Sequence, residues 1–278
     1  MLTNSKEILL QAKKDNCAVL APDYVDLDSA RAYVRAAEKC GKPIILSSAE
    51  SLKGIMSLKE AAAVGKIVAA DVSVPVVLHL DHGEDEAFIK EAIDLGFTSV
   101  MIDASMKSFE ENVRMTKEIV AYAHPKNVTV EAEIGHVGQG ANGTTDSVYT
   151  TVEEAVAFYE QTGVDSLAVS IGTAHGIYKG IAKPVLNFER LHELAKALPI
   201  PLVLHGGSGS GDDNLHRCAT EGISKINIFT DFLLGAMNNI NEEQPKDYLA
   251  LKKVANEGME KVMEHYFAVF SNNHEEEK

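Results

Sequence analysis

Hydrophobic residues recur along this chain in two alternating rhythms. Short runs of five to seven residues, rich in Val, Ile and Leu, are followed by longer stretches in which apolar positions return every three or four residues. The first rhythm predicts eight strands, at 17–21, 43–47, 75–80, 98–102, 128–134, 165–171, 201–205 and 224–228. The second predicts helices between them. SARAYVRAAEKCG stops at Gly41 and EDEAFIKEAIDLG at Gly96, and SFEENVRMTKEIVAYAH, VEEAVAFYEQTG and NFERLHELAKAL continue the series. Eight strand–helix units over about 225 residues predict a closed (β/α)8 TIM barrel in preference to an open doubly wound sheet. No GxGxxG follows the first strand, which weighs against a dinucleotide fold. No linker divides the chain, so residues 1–278 read as one barrel domain with one or two additional C-terminal helices at about 246–270 and a frayed tail at 272–278. One connection is unusually long and glycine-rich, IGHVGQGANGTTDSVYT at 134–150. It follows strand five, where a barrel enzyme would carry an active-site loop.

Composition narrows the partners. With 45% apolar and 24% charged residues the chain can bury an ordinary globular core. Its net charge of −15 argues against nucleic acid or anionic membrane as a partner. An anionic substrate would need local donors, a metal or helix N-termini to offset that field. The first residues show no basic segment followed by an apolar core, and no apolar run approaches a membrane span. Cys17, Cys40 and Cys218 are scattered without CxxC spacing, which reads as reduced structural thiols in a cytoplasmic protein.

Barrel chemistry sits at the C-terminal ends of strands. Asp81 and His82 end strand three, His175 lies just beyond strand six, and His205 ends strand seven. Alternation puts Val203 and His205 on one face, and the same count separates Asp81 from His82, so one could hold a metal while the other faces substrate. Three imidazoles with an open fourth position form the ligand set of a catalytic zinc. Glycine-rich turns accompany them, HGIYKG at 175–180 and HGGSG at 205–209. Such turns let backbone amides approach a phosphate, and the helix after Gly211 is expected to aim its positive end there. In strand eight Ile223, Lys225 and Asn227 share a face, so Asn227 can point into the mouth just before Thr230. Lys225 turns inward too, either as an imine-forming (Schiff-base) lysine or as a barrel-floor lysine paired with an acid.

LHLDHG (78–83), MIDAS (101–105), VEAEIGHVG (130–138), AVSIGTAHGIYKG (168–180), PLVLHGGSG (201–209) and KINIFTD (225–231) together resemble the class II fructose- and tagatose-bisphosphate aldolases over about residues 1–240. The resemblance implies zinc, replaceable by cobalt, on His82, His175 and His205. It makes Asp81 the acid–base residue at the substrate C4 hydroxyl and Asn227 a hydrogen-bonding partner of the enediolate. Glu133 and Asp103 match carboxylates of an alternative metal position, or brace the histidines. Gly176, Lys179, Gly206, Gly207, Ser208 and Thr230 match the cradle for dihydroxyacetone phosphate, often completed by Na+ or K+. By analogy the protein is a homo-oligomer, a dimer or tetramer.

Three departures bear on specificity. Pro22-Asp23 stands where the family has Phe-Asn, and Ala49-Glu50-Ser51-Leu52 where it has Ser-Glu-Gly-Ala. Leu233 stands where an arginine is expected after strand eight. That serine and arginine bind the far phosphate, so a ketose 1-phosphate is favoured over a 1,6-bisphosphate, with Ser48, Ser51 or a basic residue from a neighbouring subunit available to refill the site. The loop lacks the usual paired acids and keeps only Asp146. A non-catalytic sugar-phosphate-binding protein on this fold would be expected to have lost Asp81 or a zinc histidine, and none is lost.

Overall fold

In the computed structural model, residues 1–139, 149–176 and 184–272 are described. The eight expected strands are present as β1 (Val19–Pro22), β2 (Ile44–Ala49), β3 (Val76–Gly83), β4 (Ser99–Ile102), β5 (Thr129–Ile134), β6 (Ser166–Val169), β7 (Leu202–Leu204) and β8 (Ile223–Ile228). Each pairs in parallel with the next from β2 to β8, and β8 pairs with β1. The ring closes between β1 and β2 through one parallel bridge, Asp23 to Ser47, and the Tyr24 N–H donates to Ser47 O at 3.0 Å. This is a (β/α)8 barrel with additional helices.

Period-two alternation sorts the strand residues into two sets. Outward-facing Leu20, Leu46, Leu78, Val100, Leu167 and Ile226 join the helices in one large apolar cluster. Inward-facing Val19, Ile45 and Val77 pack on Leu9 and Ala12 of helix α1 (Lys6–Asp15), which plugs the floor of the barrel. Met101, Ala168 and Val203 form a second small apolar group within it. β6 is shorter than expected because the Ser170 N–H leaves the ladder for Thr150 Oγ1 at 2.8 Å, and Gly172 follows with φ +119°.

Helix α2 (Leu27–Cys40) starts at an Asp26–Ser29 capping box and ends at Gly41, which adopts φ +62° as the glycine stop requires. Helices α3 (Leu58–Ala70), α4 (Glu86–Asp94), α5 (Phe109–Ala123), α6 (Val152–Thr162), α7 (Phe188–Ala197) and α8 (Asp212–Glu221) follow in turn. Beyond β8 come α9 (Thr230–Glu243) and α10 (Tyr248–Val269), the latter filling the helical segment expected at 246–270. Phe232 of α9 is fully buried between Tyr33 of α2, at 4.9 Å between ring centroids, and Tyr266 of α10, at 6.4 Å. A buried side chain of that size contributes roughly 1.5–3 kcal/mol, so this stack fixes α10 over the flank beside the closing seam. Among the described residues no helix is long and apolar enough to cross a membrane. Residues 273–278 of the expected tail lie outside those described.

Candidate active site

At the end of β3 the backbone departs from simple alternation. Leu80 pairs with Val100 and Gly83 with Ile102, so Asp81 and His82 together oppose the single residue Met101. His82 takes φ +45°, a left-handed conformation costing a non-glycine residue about 1–3 kcal/mol. This bulge corrects the expectation that the two side chains part to opposite faces, because both line the same cavity. Asp81 is buried and accepts from Asn227 Nδ2 at 2.9 Å. His82 donates from Nδ1 to Asp103 Oδ2 at 2.7 Å.

His82, His175 and His205 converge. Their ring centroids lie 4.5 Å (82–205), 4.9 Å (82–175) and 6.0 Å (175–205) apart, and one nitrogen of each falls within 4.8 Å of the others. His175 belongs to a two-residue strand, Ala174–His175, paired with Gly138–Gln139 outside the barrel sheet. His205 follows β7 directly and donates from Nε2 to Glu131 Oε1 at 2.9 Å. The opposite nitrogens, His82 Nε2 and His205 Nδ1, are buried without a hydrogen-bond partner among the described residues. Two imidazoles braced on the far side by carboxylates, with their remaining nitrogens orphaned beside a third ring, fit a metal ion such as zinc. His82, Asp103 and Glu133 also come within 4.8 Å, and Glu133 Oε2 is likewise buried and unpartnered among the described residues.

Burial and neighbouring charge divide the protonation states. Burial, then the charge of His82, lowers His175 to about 4, and the same causes hold His205 well below the imidazole range. Both are therefore neutral at pH 7, the state in which an imidazole can ligate a metal. Burial also acts to lower His82, but Asp81, the Asp103 hydrogen bond and Glu133 outweigh it and raise it to about 10. In the metal-free chain a proton thus competes for His82. Burial raises Asp81, yet the charge of His82 prevails and leaves it below the ordinary carboxylate value, ionised and able to accept a proton. Burial and then Asp81 push Asp23 well upward, so this cavity-lining acid stays neutral.

Below these groups lies a charged layer. Lys225 Nζ donates to both oxygens of Glu131, at 3.0 and 2.8 Å, and to His79 Nε2 at 3.2 Å, while His79 Nδ1 donates to Ser99 Oγ at 2.8 Å. Lys225 is 1% exposed and is absent from the cavity wall. It is the barrel-floor lysine paired with an acid, and it offers no geometry for an imine with substrate. Glu131, which couples this layer to His205, was missed by the sequence reading. It shares the inward face of β5 with Glu133, and nothing local distinguishes the two.

The cavity, about 540 Å³, opens at the C-terminal end of the barrel. Gly176, Gly206, Gly207, Ser208 and Thr230, five of the residues proposed for a phosphate cradle, line this cavity. Gly206 has φ +66°, and a Cβ there would sit 2.7 Å from the Ala174 carbonyl. Ser208 Oγ accepts from the N–H groups of Phe229 (3.2 Å) and Asp231 (3.4 Å), leaving its own proton to donate. The helix start on this wall is that of α9, at Phe229 and Thr230, and not that of the helix after Gly211. Two N–H groups at that helix start, those of Phe229 and Asp231, are the ones that Ser208 Oγ accepts. Of the other expected residues, Asp23, Ser51 and Ala49 line the cavity, whereas Ser48 and Leu233 do not. Lys179 and Asp146 lie outside the described residues. The wall across from the cradle carries Ser51, Leu52, Glu84, Met106 and Lys107.

Comparison with known proteins agrees with this geometry. Residues 3–275 match the family model of class-II fructose-bisphosphate aldolase. The chain is 39% identical over 259 residues to the 6-phospho-5-dehydro-2-deoxy-D-gluconate aldolase of Halalkalibacterium halodurans, covering 90% of this chain and 89% of that one. It is 37% identical over 262 residues to the fructose-bisphosphate aldolase of Staphylococcus aureus, covering 89% and 91%. Among solved structures, the YdjI aldolase of Escherichia coli K12 aligns over 97% of both chains at 33% identity with a TM-score of 0.88. An aldolase-type barrel, three converging histidines beside an ionised aspartate, and likeness along nearly the whole chain lead to one conclusion: this chain belongs to the class II fructose-bisphosphate aldolase family and is a carbon–carbon lyase.

Proposed function

We propose that the protein reversibly cleaves a ketose 1-phosphate to dihydroxyacetone phosphate and an aldehyde, with zinc held by His82, His175 and His205. The observation that carries this reading is the pair of buried, unpartnered imidazole nitrogens in the same cavity as ionised Asp81. Zinc, when bound, supplies a Lewis acid for the negative charge that builds on the ketone oxygen. Asp81, held by Asn227, takes the proton of the C4 hydroxyl as the C3–C4 bond breaks. C4 becomes the aldehyde carbon, and the electron pair of the broken bond passes through C3 toward the C2 oxygen. The glycine turns at Gly176 and Gly206–Gly207, with Ser208 and Thr230, hold the 1-phosphate, with a monovalent cation beside it. Asp103 and Glu131 orient two of the ligand rings, and Glu133 offers a second resting position for the metal.

On the far side Ala49 lines the cavity and Leu233 does not reach it. A second phosphate there forfeits charge-assisted contacts, which costs on the order of a hundredfold in specificity. The name of the Halalkalibacterium halodurans relative, a sugar acid with one phosphate, supports a substrate other than a bisphosphate. Homo-oligomeric assembly is part of the same proposal, and light scattering reads it. The test of function is a coupled assay for dihydroxyacetone phosphate over ketose 1-phosphates and 1,6-bisphosphates, with chelation and zinc or cobalt restoration. Activity that survives complete metal removal would end the metal-dependent reading. A hundredfold preference for either fructose or tagatose 1,6-bisphosphate would end the substrate assignment.

A further inference from the structure

We infer that Lys107 forms a recognition site for a negatively charged terminus on the aldehyde half of the substrate, with one charge, as in a carboxylate, matching it best. This inference rests on the lyase reading above. In the barrel ring, the turns after β2, β3 and β4 face those after β6, β7 and β8 across the mouth. The glycine cradle lies on the latter side and Lys107 on the former, so a substrate anchored by its 1-phosphate extends toward Lys107.

The walls give the lysine its meaning. A second cavity of about 340 Å³, lined by Phe109, Asn112, Ile134 and Glu154, shares Met106, Lys107 and His136 with the first. Lys107 therefore belongs to the walls of both cavities. Among the described residues it is the one lysine or arginine on either wall, against Asp81, Glu84, Asp103 and Glu154. Its ammonium makes no ion pair among the described residues, although Glu111 lies near enough to feel its charge and is itself paired with Arg114. Walls so acidic repel an anion unless a cation is placed to meet it.

The backbone beneath Lys107 is held in place. Its N–H donates to Ala104 O at 2.9 Å, and Asp103 Oδ1 accepts from both the N–H (3.2 Å) and the hydroxyl (2.8 Å) of Ser105. The other oxygen of Asp103 holds His82, so the turn bearing Lys107 and the histidine share one carboxylate as anchor. An ammonium is a point charge with three donors and lacks the fork that suits a phosphate dianion. One lysine with the Ser51 hydroxyl on the same wall neutralises a carboxylate and leaves a phosphate dianion half compensated.

The test uses the metal-loaded protein and three ketose 1-phosphates of equal chain length ending in a hydroxymethyl, a carboxylate or a phosphate group. The carboxylate-ended substrate is expected to have the highest kcat/KM, with the hydroxymethyl-ended and phosphate-ended substrates each about tenfold or more below it. Lys107→Met should cut the carboxylate-to-hydroxymethyl ratio about tenfold, mainly through KM, and Lys107→Arg should retain most of it. An unchanged ratio in Lys107→Met, a wild-type preference for the neutral end, or a phosphate-ended substrate preferred over the carboxylate overturns the inference while leaving the lyase reading intact. Failure to release dihydroxyacetone phosphate from any of the three overturns both.

Discussion

In the proposed reaction the consecutive residues Asp81 and His82 take different tasks, one accepting a proton and one offering a ligand nitrogen. Asp81→Asn keeps the size of the side chain and an oxygen for the Asn227 amide, but removes the basic lone pair. It should retain about one zinc per chain by elemental analysis while kcat falls by roughly 10²–10⁴. Near-wild-type turnover would show that another group removes the proton. How much of this site could be read from the sequence differs residue by residue. His82, His175 and His205 stood out because strand ends were visible in the hydrophobic pattern and barrel chemistry gathers there. The shared orientation of Asp81 and His82 could not be read, since it comes from a bulge set by pairing to β4, and alternation alone gave the opposite answer. Glu131 was invisible for a related reason. Its partners Lys225 and His205 are 94 and 74 residues away, and only barrel closure brings them to it.

At the level of elements, the eight strands matched expectation because each is apolar toward the helices, and that demand leaves a plain signature. The plug made by α1 left a weaker one: only Leu9 and Ala12 of that helix are buried. Nearness in sequence to HGGSG points to α8 (Asp212–Glu221) as the helix whose N-terminus faces the proposed phosphate cradle. The turn at 206–211 carries the chain past the cavity before α8 begins, and α9 arrives there from β8 instead. The closeness of that turn to Ala174 makes a sharp prediction. Gly206→Ala must place a Cβ 2.7 Å from the Ala174 carbonyl at φ +66°. It should cost about 1–3 kcal/mol, lower Tm by several degrees, and raise KM for dihydroxyacetone phosphate about tenfold. Gly54→Ala, with nothing within 4 Å, is the control and should change neither. Equal behaviour of the two variants would refute the close-packed turn.

For the whole molecule, the −15 net charge and the acid-rich cavity act together on pH behaviour. In metal-free protein His82 is raised from 6.5 to about 10, against burial, by Asp81, Asp103 and Glu133. Glu133 is raised from 4.5 to about 8 by burial and then by Asp103. Each raised group contributes stability that is complete below its ordinary pKa and lost as pH climbs through the raised one. The melting temperature of metal-free protein should therefore fall as pH rises from about 6.5 toward 10, with Glu133 adding to the loss below 8. Zinc needs the unprotonated His82 nitrogen, so its uptake at pH 7 should expel about one proton, and the stabilisation it confers should grow across the same interval. Calorimetric titration of zinc in buffers with different heats of ionisation counts that proton. A count of zero would mean that His82 is already neutral or is not a ligand.

The bulge at the end of β3 also bears on how this site can be inherited. The grip on a metal depends on three separate strand ends keeping their mutual register, whereas the interval between the proton acceptor and the first histidine is one peptide bond. Drift in barrel packing can loosen the former by small steps and leaves the latter untouched. Loss of a single residue at 81–82 would flatten the strand and turn the surviving side chain away from the mouth or out of step with its neighbours. A lineage can therefore retune its substrate through the surrounding turns, whereas a deletion at 81–82 removes the proton acceptor and the first histidine in one event.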